Sequence, residues 1–144
     1  MLTALAGGVG AARFLRGLVD VVPPSEVTAV VNTGDDDEFH GLWVSPDLDS
    51  VTYTLADAHN HEMGWGLAGE TFVTMDALDR YGASTWFRLG DRDLATHLFR
   101  STQLRSGVPL HQVVALGPRR NLGGKRSTGL YLDPLNGPGF HRHS

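Results

Sequence analysis

The sequence predicts an α/β fold of the Rossmann-like, three-layer type on a parallel sheet, and three features near its amino terminus support this. Residues 1–6 are a short apolar run, typical of a buried strand. Residues 11–22 repeat apolar side chains at helical spacing, and Pro23 and Pro24 then end the helix. Residues 26–31 are rich in β-branched side chains and predict a second strand. So compact a strand–helix–strand unit implies parallel pairing with a right-handed crossover.

The later elements are predicted to be helices joined by loops. Residues 32–49 are polar and contain glycine, which predicts a loop beyond the carboxyl end of the second strand. A short helix is expected over residues 50–58 and a loop over residues 60–69. Residues 71–81 and 91–104 each place apolar side chains on one helical face. With few further strand candidates, we expect the sheet to be incomplete.

The composition changes near residue 115. Residues 1–114 hold 7 Arg against 15 Asp or Glu, whereas residues 115–144 hold 5 Lys or Arg against 1 Asp. The second segment also has 6 Gly and 3 Pro and no apolar period, which predicts an irregular tail. We therefore predict an incomplete α/β domain over residues 1–114 and a tail over residues 115–144. The composition of that tail is what a shifted reading frame would produce.

Composition also excludes several classes of protein. The chain has no cysteine, which removes disulfides, thiolate nucleophiles and zinc–thiolate sites. The sequence contains no run of 18 apolar residues, so no membrane span is predicted. The start lacks the basic segment and cleavage site of a signal peptide, so a cytoplasmic location follows by elimination. The acidic balance of residues 1–114 argues against nucleic acid as a partner.

A glycine-rich loop joins the first strand to the first helix. Gly7, Gly8, Val9 and Gly10 place backbone N–H groups where a helix begins, an arrangement suited to a phosphate. The loop is not a dinucleotide fingerprint, because Arg13 stands where the third glycine belongs. The alternative is an ordinary strand-to-helix turn.

Two acidic segments follow the second strand. The first is a run of four carboxylates that begins at Asp35 and Asp36 and suits Mg²⁺ bound together with substrate phosphates. In the second, Asp47 and Asp49 would share one face of an extended segment and could hold a metal or a polar substrate. The alternatives are a solvated acidic loop and capping of the next helix.

Aromatic and basic side chains lie further along the chain. Trp65 stands between two glycines, and Trp86 precedes Phe87; such rings suit either stacking on a planar ligand or packing in the core. Arg92 could hold a phosphate or a ring carbonyl through its fork of donors, or pair with a neighbouring aspartate.

Together these motifs closely resemble the 2-phospho-L-lactate transferase family of deazaflavin coenzyme biosynthesis. Five segments appear in order over residues 1–114: LAGGVGAARF (5–14), VNTGDDD (31–37), SPDLD (45–49), GWGL (64–67) and WFRLGDRDLATH (86–97). The resemblance implies transfer of phospholactate, or its enolpyruvyl counterpart, from a GDP-activated donor. The acceptor would be the terminal ribityl hydroxyl of 7,8-didemethyl-8-hydroxy-5-deazariboflavin. GMP would leave and Mg²⁺ would be needed, as a step of coenzyme F-420 biosynthesis.

The resemblance also implies roles for single residues. Asp49 and Arg92 match the family's deazaflavin contacts, and the loop from Gly7 to Gly10 resembles its nucleotide-phosphate loop. The predicted magnesium ligands are Asp35, Asp36 and Asp47. The predicted general base, which takes the proton of the attacking hydroxyl, is Asp47 or Asp49.

Two other functions fit parts of the pattern. An NAD(P)-binding oxidoreductase would use the same loop but needs a glycine near position 13. A non-enzymatic nucleotide-binding regulator would not need Asp49, Arg92 and the Trp65 loop together. Members of the resembled family are longer, and residues 115–144 do not continue their pattern. We therefore expect this chain alone to have little activity, and its uncovered apolar faces to favour aggregation or homo-oligomers.

Overall fold

The computed structural model describes residues 1–121 and 131–134, with side chains over residues 1–115. The elements, in chain order, are β1 (Leu2–Ala6), α1 (Gly8–Val21), β2 (Val27–Val31), β3 (Asp37–Phe39), β4 (Leu42–Val44), α2 (Pro46–Leu55), α3 (Val73–Arg80), α4 (Asp91–Arg105), α5 (Leu110–Asn121) and β5 (Tyr131–Pro134). β1, β2 and β5 form a parallel sheet in the order β1-β2-β5, and β3 and β4 form an antiparallel hairpin. The α/β class and the Rossmann-like parallel sheet are therefore confirmed.

The first strand–helix–strand unit is the one that the sequence predicts. β1 and β2 are parallel in a register that runs from Leu2 opposite Val27 to Ala6 opposite Val31. α1 begins at Gly8, three residues before the predicted start. Gly7 is its N-cap, and Gly8 takes a positive φ of 64°. The beginning of the helix therefore lies inside the glycine loop.

The main core lies on one face of this sheet. Its buried members are Ala6, Ala12, Leu15, Val27, Ala29, Val31, Leu48, Val51, Leu55, Leu110 and Val114. Successive strand residues point to opposite faces, so Leu5, beside the buried Ala6, points away from this core and is 81% exposed. Among the described residues, α1, α2 and α5 are the helices that pack in this core. The predicted three-layer fold also needs a layer of helices on the other face of the sheet, and the described residues do not contain that layer.

The predicted loop over residues 32–49 contains two strands and the start of a helix. His40 and Gly41 take positive φ angles of 53° and 75°, which form the two-residue turn between β3 and β4. Phe39, Leu42 and Val44 then pack in a second core with Met75, Leu89 and Leu94. α2 begins at Pro46 rather than at residue 50, because proline suits the first turn of a helix.

The prediction of an irregular tail is wrong at the residues that the structure describes beyond residue 114. α5 continues to Asn121, and β5 lies parallel to β2 with Tyr131 opposite Thr28. The predictions for residues 122–130 and 135–144 fall outside the described residues. Among the helices that are described, none is long and apolar enough to cross a membrane.

Two acidic side chains cap α3 and α4 reciprocally. Asp91, at the start of α4, accepts hydrogen bonds from the backbone N–H groups of Val73 and Thr74 at the start of α3. Together with one from the Thr71 hydroxyl, these bonds hold the pKa of Asp91 well below its ordinary value. Glu70, just before α3, accepts the N–H groups of Arg92 and Asp93 in α4, both at 2.8 Å. Neither helix start therefore depends on its own N-cap side chain.

Gly90 allows this arrangement, because a Cβ there would lie 2.2 Å from the Glu70 carboxyl carbon. We predict that Gly90→Ala displaces Glu70 and lowers the free energy of unfolding by about 1 kcal/mol, the usual effect of losing a cap. In a Glu70→Ala background most of this loss should disappear. Urea denaturation of the two single variants and the double variant measures the coupling. Additive effects would contradict the displacement.

Candidate functional site

The carboxyl ends of β1 and β2 place the glycine loop beside Asn32 and Asp47. The Asn32 amide nitrogen donates to Asp47 Oδ2 at 2.9 Å, and its amide oxygen accepts the N–H of Gly34 at 3.1 Å. A Cβ on Gly7 would lie 3.3 Å from Asp47 Oδ2, and one on Gly8 would lie 3.5 Å from Oδ1. The Asp47 carboxylate therefore lies directly against the start of α1.

The start of α1 has the features of an anion site. Gly7 has no side chain to cap the helix, and the first turn of α1 carries no acidic residue. Its backbone N–H groups therefore provide donors and the positive end of the helix dipole. Gly8 needs glycine for its positive φ, whereas Gly10 has an ordinary φ and open space where a Cβ would stand.

Asp47 and Asp49 do not share one face, and that prediction is wrong. It assumed extended backbone, but both residues lie in the first turn of α2. Residues two apart on a helix are separated by about 200°. Asp47 accordingly faces Asn32 and the glycine loop, while Asp49 faces α4.

Asp49 is part of a buried polar cluster between α2 and α4. Both of its carboxylate oxygens accept hydrogen bonds from the Arg100 guanidinium, one of them at 3.0 Å. His97 Nδ1 lies 3.9 Å from Asp49, and His97 Nε2 lies 3.3 Å from Asp93. The Tyr53 hydroxyl donates to Asp93 at 2.5 Å. All five side chains are buried.

The pKa values in this cluster follow from burial and mutual charge. Burial disfavours the charged form of Arg100, but Asp49 outweighs this effect and raises the Arg100 pKa. Burial raises the pKa of Tyr53 well above its ordinary value, and Asp49 and Asp93 raise it further. Burial works against the charge of Asp93, yet His97 and Tyr53 bring its pKa below the ordinary value.

Sequence reasoning missed Arg100, His97 and Tyr53. A signal was available, since Asp93, His97 and Arg100 are spaced i, i+4 and i+7 on one side of α4. Polar residues at that spacing beside Leu94 line a buried stripe rather than a solvated face.

The three predicted magnesium ligands do not converge. Asp36 is half-buried and accepts a hydrogen bond from the Ser45 hydroxyl at 2.7 Å, while Asp47 is bonded to Asn32 and Asp35 is exposed. Within the described residues, these three carboxylates do not form a group with ligand atoms inside 4.8 Å of one another. Their role as ligands stays a prediction.

A cavity of about 260 Å³ lies between the Trp65 loop and the start of α4. Its lining includes Trp65, Phe72, Gly90 and Asp93. Arg92 is exposed and lies beside this cavity. Its Nη1 donates to the Ala68 carbonyl and lies 3.8 Å from where a Cβ of the lining residue Gly69 would stand.

The structure therefore brings together the predicted Trp65 and Arg92 segments, and Asp93 links them to Asp49. Trp86 and Phe87 instead form an aromatic cluster with Phe39, at ring-centroid distances of 5.8 and 5.0 Å.

Comparison with known sequences identifies the family. The sequence profile of the family described as 2-phospho-L-lactate transferase CofD matches residues 2–120. The chain belongs to this family. The resemblance seen in the five sequence motifs is thereby confirmed, and the match extends past the predicted boundary at residue 114. The description of this family names a transferase, not an oxidoreductase or a non-enzymatic regulator.

Named relatives agree with the family match. The phosphoenolpyruvate transferase of Nocardia farcinica is 51% identical over 113 residues, which are 78% of this chain and 34% of that protein. The phosphoenolpyruvate transferase of Streptomyces griseus is 50% identical over 113 residues, 78% of this chain and 36% of the relative. That of Kitasatospora aureofaciens is 52% identical over 125 residues, 85% and 39% respectively. The matched region thus spans little more than a third of each of these relatives.

The environment of Asp36 predicts a pH dependence of stability. Burial raises its pKa from 3.8 to about 6, against hydrogen bonding from Ser45. Its Oδ1 atom is shielded from solvent without a hydrogen-bond partner. The folded protein therefore keeps a proton that the unfolded chain releases. The contribution of Asp36 to stability is then fully present below pH 3.8 and is lost as the pH rises through about 6.

We predict that Asp36→Asn raises the free energy of unfolding at pH 8 by about 1 kcal/mol and has little effect at pH 4. This free energy is the pKa shift of Asp36 converted at roughly 1.4 kcal/mol per unit and then reduced, because the side chain is only half-buried. Urea denaturation across this pH range measures it. Asp35→Asn removes the same formal charge from an exposed neighbour and is the control. Identical pH profiles for the parent and Asp36→Asn would refute the prediction.

Proposed function

We propose that the protein containing this chain transfers a phospho-acid from a GDP-activated donor to 7,8-didemethyl-8-hydroxy-5-deazariboflavin. The terminal ribityl hydroxyl attacks the phosphorus of the phospho-acid, the diphosphate bridge breaks, and GMP leaves. The observation that carries the proposal is the uncapped, glycine-lined start of α1, with Asp47 lying against it. The names of the relatives support phosphoenolpyruvate over phospholactate as the group transferred.

The donor diphosphate is proposed to bind at the start of α1. Backbone N–H groups from Gly8 to Gly10 would donate to its oxygens, and the helix dipole favours its negative charge. The empty space at the Cβ position of Gly10 allows a phosphate to approach the main chain. Asp47, however, would repel a diphosphate unless a cation lies between them.

The side chains at this position fit magnesium through Asp47. Carboxylate oxygens are the ligands that Mg²⁺ prefers, and Mg²⁺ commonly binds through one or two of them plus substrate phosphates. The hydrogen bond from Asn32 leaves Asp47 Oδ1 directed toward Gly8. Exposed Asp35 could add a second carboxylate. Asp36 is a poorer candidate ligand, because it is half-buried and already accepts a hydrogen bond from the Ser45 hydroxyl. When bound, magnesium supplies the positive charge that phosphoryl transfer requires.

The acceptor is proposed to bind in the cavity beside Trp65 and Arg92. The indole of Trp65 offers a surface for a planar ring, and the exposed Arg92 guanidinium offers donors for a ring carbonyl. Asp49 would support this site indirectly. Arg100 holds both oxygens of Asp49, and Asp49 is connected to the cavity through the lining residue Asp93. If Asp49 took a proton, its ion pair with the buried Arg100 guanidinium would be lost, which argues against Asp49 as the general base.

The donor site is tested by comparing two glycines of α1. We predict that Gly10→Ala weakens GDP binding at least about tenfold, because the new methyl group blocks a phosphate from the backbone. Gly17→Ala is the matched control, since it also lies in α1 with open space at its Cβ position. Both variants should gain roughly 0.5–1 kcal/mol of helix stability, so a binding loss in only one is not a folding effect. Calorimetric titration with GDP and Mg²⁺ measures this, and equal affinities would remove the phosphate role of the loop.

The acceptor site is tested separately, by binding rather than turnover. We predict that Arg92→Ala weakens deazaflavin binding about tenfold or more, the effect of losing a charged hydrogen bond, and leaves GDP affinity unchanged. Arg16→Ala removes another arginine, one that pairs with Asp20 within α1, and should have no effect. Fluorescence titration with the deazaflavin measures both. Unchanged affinity in Arg92→Ala would place the acceptor elsewhere, even if the GDP result stands.

A further inference from the structure

The segment after α2 places together three potential metal ligands that belong neither to the glycine loop nor to the buried cluster. Asp57, His59 and His61 alternate along the chain, and one ligand atom from each lies within 4.8 Å of the other two. The two imidazole centroids are 4.1 Å apart, with the rings inclined by 56°. His59 lies in a β-bridge, whereas Asp57 and His61 lie in the turns on either side of it, and these turns bring the three side chains together.

The backbone holds this group in place. His59 forms a β-bridge with Leu67, and the N–H of Ala68 donates to the Ala58 carbonyl at 2.9 Å. The Asn60 side chain, between the two histidines, accepts the N–H groups of Glu62 and Met63 at 3.0 and 3.1 Å. The turn carrying His61 is thereby fixed relative to His59. Asp57 takes a positive φ of 57°, a conformation that aspartate and asparagine tolerate better than most residues.

The chemical state of His59 suits metal binding. Its Nδ1 atom is shielded from solvent and has no hydrogen-bond partner. An imidazole nitrogen without a hydrogen-bond partner is an atom that a metal ion can take as a ligand. The other acidic and histidine group of the described residues, Asp49 with Asp93 and His97, differs because the Arg100 guanidinium already occupies its carboxylate.

We propose that Asp57, His59 and His61 form a binding site for a divalent transition-metal ion of the zinc class. Two imidazole nitrogens and one carboxylate oxygen are a ligand set for Zn²⁺, with water in the fourth position. This site is distinct from the proposed magnesium site, whose ligands are oxygens alone, and it does not depend on the proposed transferase function. The ligand atoms need to close to within about 3.5 Å of one another for bonds of about 2.1 Å. Rotation of the exposed side chains of Asp57 and His61 can provide that movement.

The surrounding charges make the site selective for a strongly bound ion. Asp57 offsets one positive charge, while the Arg13 guanidinium lies beside the same loop, 3.7 Å from where a Cβ of Gly64 would stand, and opposes a cation. A weakly held hard cation gains little from neutral imidazoles in that setting, whereas zinc gains two strong nitrogen bonds. The same loop carries Trp65, so a bound ion would also fix the wall of the cavity.

The test uses zinc alone as the probe, in the full chain with His141→Ala and His143→Ala, because those two residues form a second His-x-His sequence. Calorimetric titration should show one zinc ion per chain. His59→Ala and His61→Ala should each weaken binding by at least about tenfold, as expected for loss of a direct ligand. Asp57→Asn keeps a residue that tolerates positive φ and should weaken binding less. His40→Asn, at an exposed histidine that also has positive φ, should leave binding unchanged.

A second measurement separates binding from folding. Zinc should raise the thermal midpoint of the parent and of His40→Asn, and the shift should disappear in His59→Ala and His61→Ala while their midpoints without zinc stay close to the parent's. Cobalt substituted for zinc should give the visible absorption of a nitrogen- and oxygen-ligated ion. Zinc affinity that survives in both histidine variants, or no binding by the parent, would overturn the proposal.

Discussion

The buried ion pair between Asp49 and Arg100 is the interaction on which the arrangement of the helices depends. Moving each ion out of water costs several kcal/mol, and the pair offsets this only because both carboxylate oxygens receive hydrogen bonds. Removing either partner would leave an unpaired buried charge, which costs about 3–5 kcal/mol. α2 and α4 are therefore held in one orientation, and α2 in turn packs against α1 and the sheet.

This constraint fixes both proposed binding regions relative to α2, and the Trp65 loop borders the start of α1, because a Cβ on Gly64 would lie 3.9 Å from the Val9 side chain. The helical turn between Asp47 and Asp49 sends the first toward the glycine loop and the second toward α4. Asp93 then connects the pair to the cavity wall, and Glu70 fixes the start of α4 through the neighbouring N–H groups. A donor at α1 and an acceptor beside Trp65 would thus be positioned by one rigid set of polar contacts, which is what a transfer between two bound substrates requires.

The parts of the structure that could be predicted are those marked by a repeating apolar spacing or by a residue with a special backbone conformation, such as glycine. The first strand–helix–strand unit follows from apolar spacing, and the glycine loop follows from the chain's need to turn at Gly8. The hairpin at His40 was missed because three-residue strands are too short to show alternation, and the surrounding acidic residues resemble a loop. α5 was missed as a whole, because glycine, proline and arginine in its second half weaken its apolar pattern. Arg100 was missed because a charged residue on a helix is normally solvated.

The environment of Asp49 also changes how its predicted contact with the deazaflavin can be understood. Asp49 is buried and both of its oxygens accept from Arg100, so a ligand could contact it only through the remaining lone pairs, inside the contact between α2 and α4. Replacing Asp49 would then unfold the α2–α4 contact as well as disturb the cavity, so a loss of binding in such a variant could not be assigned to a direct contact. Arg92 differs, because it is exposed and its guanidinium donates to the backbone carbonyl of Ala68. The two residues that the family resemblance joined therefore differ in environment, since Asp49 is buried against Arg100 and Arg92 is exposed beside the cavity. Of the two, we propose that Asp49 has a positioning role and that a variant of Arg92 is the better test of acceptor binding.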